Sequence, residues 1–140
     1  MSNTKLNSGA LLTLKPRSGR RGPIATDTNR LGDMAERWVT LLASWKGCEV
    51  FENIGCTGRT DIVIVHPELG PLQIDVKCAF WREDHWMVQH TSRVKPPVYP
   101  VVVEPEGDIA NWKVRWVRGK VPPGWSKFWD KDHRTYTASK

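Results

Sequence analysis

The sequence predicts a single α/β domain. Three observations carry that prediction: one stripe of apolar residues at helical spacing, a series of extended β-branched runs after it, and a length of 140 residues with no internal repeat. A chain that is 39% hydrophobic and holds eight tryptophans can bury a real core at this size. The reading divides it into a flexible basic N-terminal arm over 1–27, a body over 28–130 ending in a basic Trp-rich segment, and a polar tail over 131–140.

The arm mixes Ser, Gly, Asn, Pro and Arg without a sustained period, and SGRRGP at 18–23 puts Arg20 and Arg21 where they could reach phosphates. From Thr28 or Asn29, either of them a suitable N-cap, a helix should run to about Lys46 and stop at Gly47. Leu31, Met34, Ala35, Trp38, Leu41, Leu42 and Trp45 fall on one stripe and are expected to be core, with Glu36 on its flank. A short strand is expected over 48–53, then a loop of small residues over 55–60 that carries Arg59.

Residues 61–65 are almost all β-branched and read as a strand buried on both faces; after a Pro/Gly turn, 72–80 return as a second strand. Residues 81–95 fit either a helix or an irregular lid, because neither period is clear. In the β-branched run at 98–104, Pro100 points to an edge position or a bulge. Over 112–118, Trp112, Val114 and Trp116 alternate with Lys113 and Arg115, and Trp125, Phe128 and Trp129 suggest a last helical turn.

Charge is unevenly spread. The net is +5 over 1–30, −3 over 31–77, −2 over 78–111 and +6 over 112–140. An acidic centre that gathers metal ions between basic flanks that grip polyanions is the charge plan of a nucleic-acid-processing enzyme. Arg59 and the C-terminal Lys113, Arg115, Arg118 and Lys120 join Arg20 and Arg21 as candidate phosphate contacts. Three cysteines without C-x-x-C spacing argue against a disulfide framework and a structural zinc site. The apolar run at 10–14 is too short for a membrane span, and no glycine-rich loop suggests a nucleotide cofactor. An intracellular, cytoplasmic protein, or a phage-encoded one acting in the host cytoplasm, is expected.

The stretch DIVIVHPELGPLQIDVK at 61–77 concentrates the chemistry. On a strand, residues i and i+2 share a face, so Asp75 and Lys77 project together while Ile74, Val76 and Cys78 face the other way. Hydrolysis of a phosphodiester needs charge neutralised on a pentacovalent transition state and a hydroxide-like nucleophile, both of which carboxylate-held Mg²⁺ supplies. Mg²⁺ takes one or two carboxylates, with water and substrate phosphate completing its octahedron. Asp61 and Asp75 offer that pair, the Val76 carbonyl and Glu36 could add ligands, and Lys77 could orient the attacking water.

Gly32-x-x-x-Glu36-Arg37, Gly58-Arg59-Thr60-Asp61-Ile62-Val63 and Ile74-Asp75-Val76-Lys77 together resemble the PD-(D/E)xK nuclease superfamily. Within it the chain is similar to small Holliday-junction resolvases and to compact phage and homing endonucleases. The resemblance spans roughly residues 29–80. Thr60 stands where the motif usually has proline, and the second acid is Asp rather than the commoner Glu. It implies a restriction-endonuclease-like mixed central sheet flanked by helices, Mg²⁺ or Mn²⁺ as cofactor, and catalytic roles for Glu36, Asp61, Asp75 and Lys77. The expected function is a Mg²⁺-dependent DNA endonuclease, with a junction resolvase as the main reading and a sequence-specific phage or homing-type enzyme as the alternative. A non-catalytic DNA-binding module is the alternative of another class. The expected partners are branched or duplex DNA and a second copy of the chain, as a homodimer or a higher homo-oligomer.

Overall fold

The computed structural model describes residues 28–54, 58, 60–131 and 138–139; Arg20, Arg21 and Arg59 lie outside the described residues. Helix α1 spans Thr28–Trp45 and ends as the sequence predicts. Gly47 takes φ +97°, its N–H reaches the Ser44 carbonyl at 3.0 Å, and the Cys48 N–H reaches the Ala43 carbonyl at 3.0 Å. Those two bonds close a glycine C-cap that uses the helix's last free carbonyls.

Strands β1 (Glu49–Glu52), β2 (Ile62–His66) and β3 (Gly70–Cys78) form an antiparallel meander. The next two strands, β4 (Phe80–Arg82) and β5 (His85–Gln89), make an antiparallel hairpin where the sequence left helix or lid open. Glu83 and Asp84 both have positive φ at its turn, the backbone of a tight two-residue connection. Strand β6 (Val98–Glu104) then lies parallel to β3, and β7 (Lys113–Trp116) antiparallel to β6. Two two-residue strands complete the set: β8 (Asp130–Lys131) closes a mixed sheet of order β1-β2-β3-β6-β7-β8, and β9 (Ala138–Ser139) pairs with β5. The architecture is a single α/β domain on a mixed central sheet, as expected. The flanking layers differ from the expectation: among the described residues one helix covers one face, and the β4–β5 hairpin packs on the other.

Strand alternation decides which residues go where. Ile62, Ile64, Leu72, Ile74, Val101 and Val103 face α1, where Ala35, Val39 and Ala43 are fully covered and Trp112, Trp116 of β7 and the tryptophans of the C-terminal turns join them. The opposite face carries a smaller cluster of Ala79, Trp86, Val88, Val102 and Val117. Leu41 and Trp45 do not belong to the core. They are 57% and 86% exposed, because the buried stripe of α1 runs through Ala35, Val39 and Ala43 and leaves these two on the outer side. Trp125, Phe128 and Trp129 are buried as expected, held in turns rather than in a helix. Pro100 sits in a strand with neighbours on both sides, but β7 pairs only from Val101, so its missing N–H falls where the ladder is one-sided.

Candidate active site

The antiparallel pairing of β2 and β3 puts Ile62 opposite Ile74, so Asp61 comes alongside Asp75. Two contacts fix the pair. The Asp61 N–H donates to the Ile74 carbonyl at 2.9 Å, and the Val76 N–H donates to Asp61 Oδ2 at 2.6 Å. Lys77 Nζ lies 3.0 Å from Asp75 Oδ2, as same-face spacing on β3 requires. That approach lacks the directional geometry of a hydrogen bond, so Asp75 Oδ2 is buried with an ion-pair neighbour and no hydrogen-bond partner.

Electrostatics mark the same place. Burial, then the adjoining Asp75 carboxyl and the more distant Glu36, push Asp61 up to about 7 against the lowering effect of the Val76 N–H. Partial burial beside a second carboxyl group makes the Asp61 charge costly. Glu36 is also raised, chiefly by burial and then by Asp33, Glu52 and Asp75. It adds to the field at the pair without joining it: among the described residues no three Asp, Glu, His or Cys side chains converge closely enough to hold a metal. The reason is again alternation, since α1 packs on the Ile74 side of the sheet while Asp75 and Lys77 belong to the other side. Glu36 instead lines an open cavity of about 300 Å³ with Asp33, Arg37, Thr40, Leu41, Ser44 and Glu52.

Of the C-terminal candidates, Lys113 and Arg118 are exposed. The other two make contacts within the fold. Arg115 Nε donates to Glu104 Oε1 at 3.0 Å, and Glu104 is only 2% exposed, so this guanidinium is engaged by a buried charge. Lys120 Nζ donates to the Thr91 and Val94 carbonyls, each at 2.8 Å, tying the loop after β7 to the short 3₁₀ turn Thr91–Arg93. Sequence reasoning also passed over Thr60 and Gln73, whose side chains meet at 2.8 Å beside the pair. The signal was available, since Gln73 stands two residues before Asp75 and shares its face.

No protein-family model and no curated protein matches the sequence. Among solved structures, a bacterial homing endonuclease, I-Ssp6803I, is similar in fold, with a TM-score of 0.51 at 20% identity. The likeness covers 64% of this chain and 65% of that one, just under two-thirds of each. At that identity it shows a shared fold.

Proposed function

We propose that the protein is a metal-dependent endodeoxyribonuclease of the homing type, which hydrolyses phosphodiester bonds in duplex DNA at Asp61, Asp75 and Lys77. The observation that carries this reading is the meeting of two carboxyl groups from neighbouring strands, beside a lysine, with one buried Asp75 oxygen free of any hydrogen bond. The fold likeness to a homing endonuclease supports the homing-type reading over the junction resolvase.

The residues present fit Mg²⁺ or Mn²⁺. The donors are hard carboxylate oxygens, one of them unbonded, and two carboxylates are the usual protein share of such a site. Asp61 and Asp75 would hold the ion, with the Val76 carbonyl as a further oxygen and Glu36 acting through its charge. The bound ion would lower the pKa of an attacking water and offset charge on the scissile phosphate. The Val76 N–H orients Asp61 by holding one of its oxygens. Lys77, anchored on Asp75, presents an ammonium that can align the water and neutralise phosphate charge. Lys113 and Arg118 offer exposed charge to the duplex backbone, with Arg20, Arg21 and Arg59 as further candidates. Cutting both strands needs two such sites, which a homodimer would supply.

The test is cleavage of a supercoiled plasmid library carrying random inserts, beside a synthetic four-way junction, with and without Mg²⁺ or Mn²⁺. Metal-dependent cutting at a restricted set of duplex sites is expected. Preferential, symmetric cutting of the junction would return the resolvase reading, and binding without cutting under every metal condition would leave a DNA-binding module.

A further inference from the structure

Resting on that reading, we infer that Thr60 and Gln73 form a side-chain clamp that positions Asp61, so that catalysis depends on a hydroxyl–amide contact outside the acid–lysine set. Asp61 is the residue just before β2, at the margin of the regular strand pairing. Its position is set by an array of bonds around the Thr60–Asp61 peptide. The Asn53 side chain donates to the Thr60 carbonyl at 2.9 Å, and the Asn53 N–H donates to the Asp61 carbonyl at 2.9 Å. On the other side, the Asp61 N–H is held by Ile74 and the Thr60 hydroxyl donates to Gln73 Oε1 at 2.8 Å.

Two features make the Thr60–Gln73 contact the informative member. Alongside the Val76 N–H bond to Asp61 Oδ2, it is a side-chain bond that ties the segment to β3, the strand that also carries Asp75 and Lys77. Gln73 also shares the face of those two residues, so the clamp and the reacting groups are set by one strand. A loop that enters a strand at a catalytic acid needs such a cross-tie, because a displacement of about 1 Å at a reacting group can cost about 100-fold in rate. Thr60 and Gln73 are positioning residues here. They act through Asp61.

The test uses Thr60→Val, which keeps the shape and removes the hydroxyl, and Gln73→Met, which keeps the length and removes the amide. Thr60→Ser serves as the conservative rescue. The readouts are kcat and KM on a cleaved duplex, Mn²⁺ affinity by calorimetry without DNA, and the melting temperature. The clamp predicts that kcat falls about 10- to 100-fold in Thr60→Val and in Gln73→Met. It also predicts weaker Mn²⁺ binding, a KM for DNA within about 2-fold of the parent, a double variant no worse than either single one, and recovery in Thr60→Ser. Parent-like kcat in Thr60→Val would overturn it, as would losses that follow the melting temperature or persist in Thr60→Ser. If the parent itself cuts no duplex, the nuclease reading fails first. A cutting parent with an equally active Thr60→Val variant removes the clamp alone.

Discussion

Asp61 should cost the metal-free protein stability, and replacing it with Asn should reveal by how much. Burial and the neighbouring Asp75 lift its pKa from 3.8 to about 7. Between those values the folded protein keeps a proton that the unfolded chain has released. Its contribution is therefore favourable at low pH, is lost as pH rises through the window, and is fully lost above about 7. Taken without screening, a three-unit shift is worth about 4 kcal/mol. Asp61 is only half-buried, so water reduces this to roughly 1–2 kcal/mol, or about 3–8 °C in melting temperature for a chain of this size. Asn carries no charge and its Oδ1 can still accept from the Val76 N–H, so the variant should lose only the titration. The assay is thermal denaturation by circular dichroism in chelator at pH 4.5 and pH 8. The advantage of Asp61→Asn should be small at pH 4.5 and reach about 3–8 °C at pH 8. Adding Mn²⁺ should then stabilise the parent and leave the variant unmoved. A difference that is equal at both pH values, or larger in acid, refutes the reasoning.

Other expectations follow from the same geometry. Asp75→Asn and Lys77→Ala should each lower Mg²⁺-dependent cleavage by about 100-fold or more while leaving salt-sensitive DNA binding in filter assays intact. Glu36→Gln should cost far less than Asp75→Asn in the same cleavage assay, because Glu36 acts on the pair through its field. Arg115→Met removes the guanidinium from buried Glu104 and should destabilise the fold by about 3–5 kcal/mol in urea titration, whereas Lys113→Ala should be nearly neutral. In DNA titrations across salt concentrations, Lys113→Ala and Arg118→Ala should each reduce the slope by about one, and Lys120→Met should not.

Some of this was legible in the chain because local rules decide it. Asp75 and Lys77 meet since i and i+2 share a strand face, and α1 stops where Gly47 can take positive φ. Other features depend on what a side chain finds across the fold. Alternation puts Arg115 on the face away from the tryptophans, but nothing local says that Glu104 is buried there to receive it. Lys120 is long enough to cap two carbonyls about 30 positions earlier, which no spacing rule encodes. Leu41 and Trp45 fit a helical stripe as well as Ala35 and Val39 do, and only the packing of α1 chooses between adjacent stripes. The β4–β5 hairpin stayed hidden because its strands are three and five residues long, too short for a period to declare itself.

That hairpin bears directly on the site. Parallel strands such as β3 and β6 need a crossover, most often a helix. Here the crossover contains β4 and β5, and its Trp86 and Val88 pack with Val102 on the sheet face that also carries Asp75 and Lys77. Val102 stands directly opposite Lys77 in the register. The carboxyl pair is thereby bordered on the β6 side by apolar side chains, and burial is the leading cause of the raised Asp61 pKa. On the proposed function, a substrate phosphate would approach from the other side of β3, where β2 begins and the Thr60–Gln73 contact lies. On the same reading, the apolar border would make the Asp61 charge costly without a cation, and the Thr60–Gln73 contact would stand on the side open to the phosphate. The two neighbours of the site would then have separate tasks, one setting its dielectric and the other its geometry.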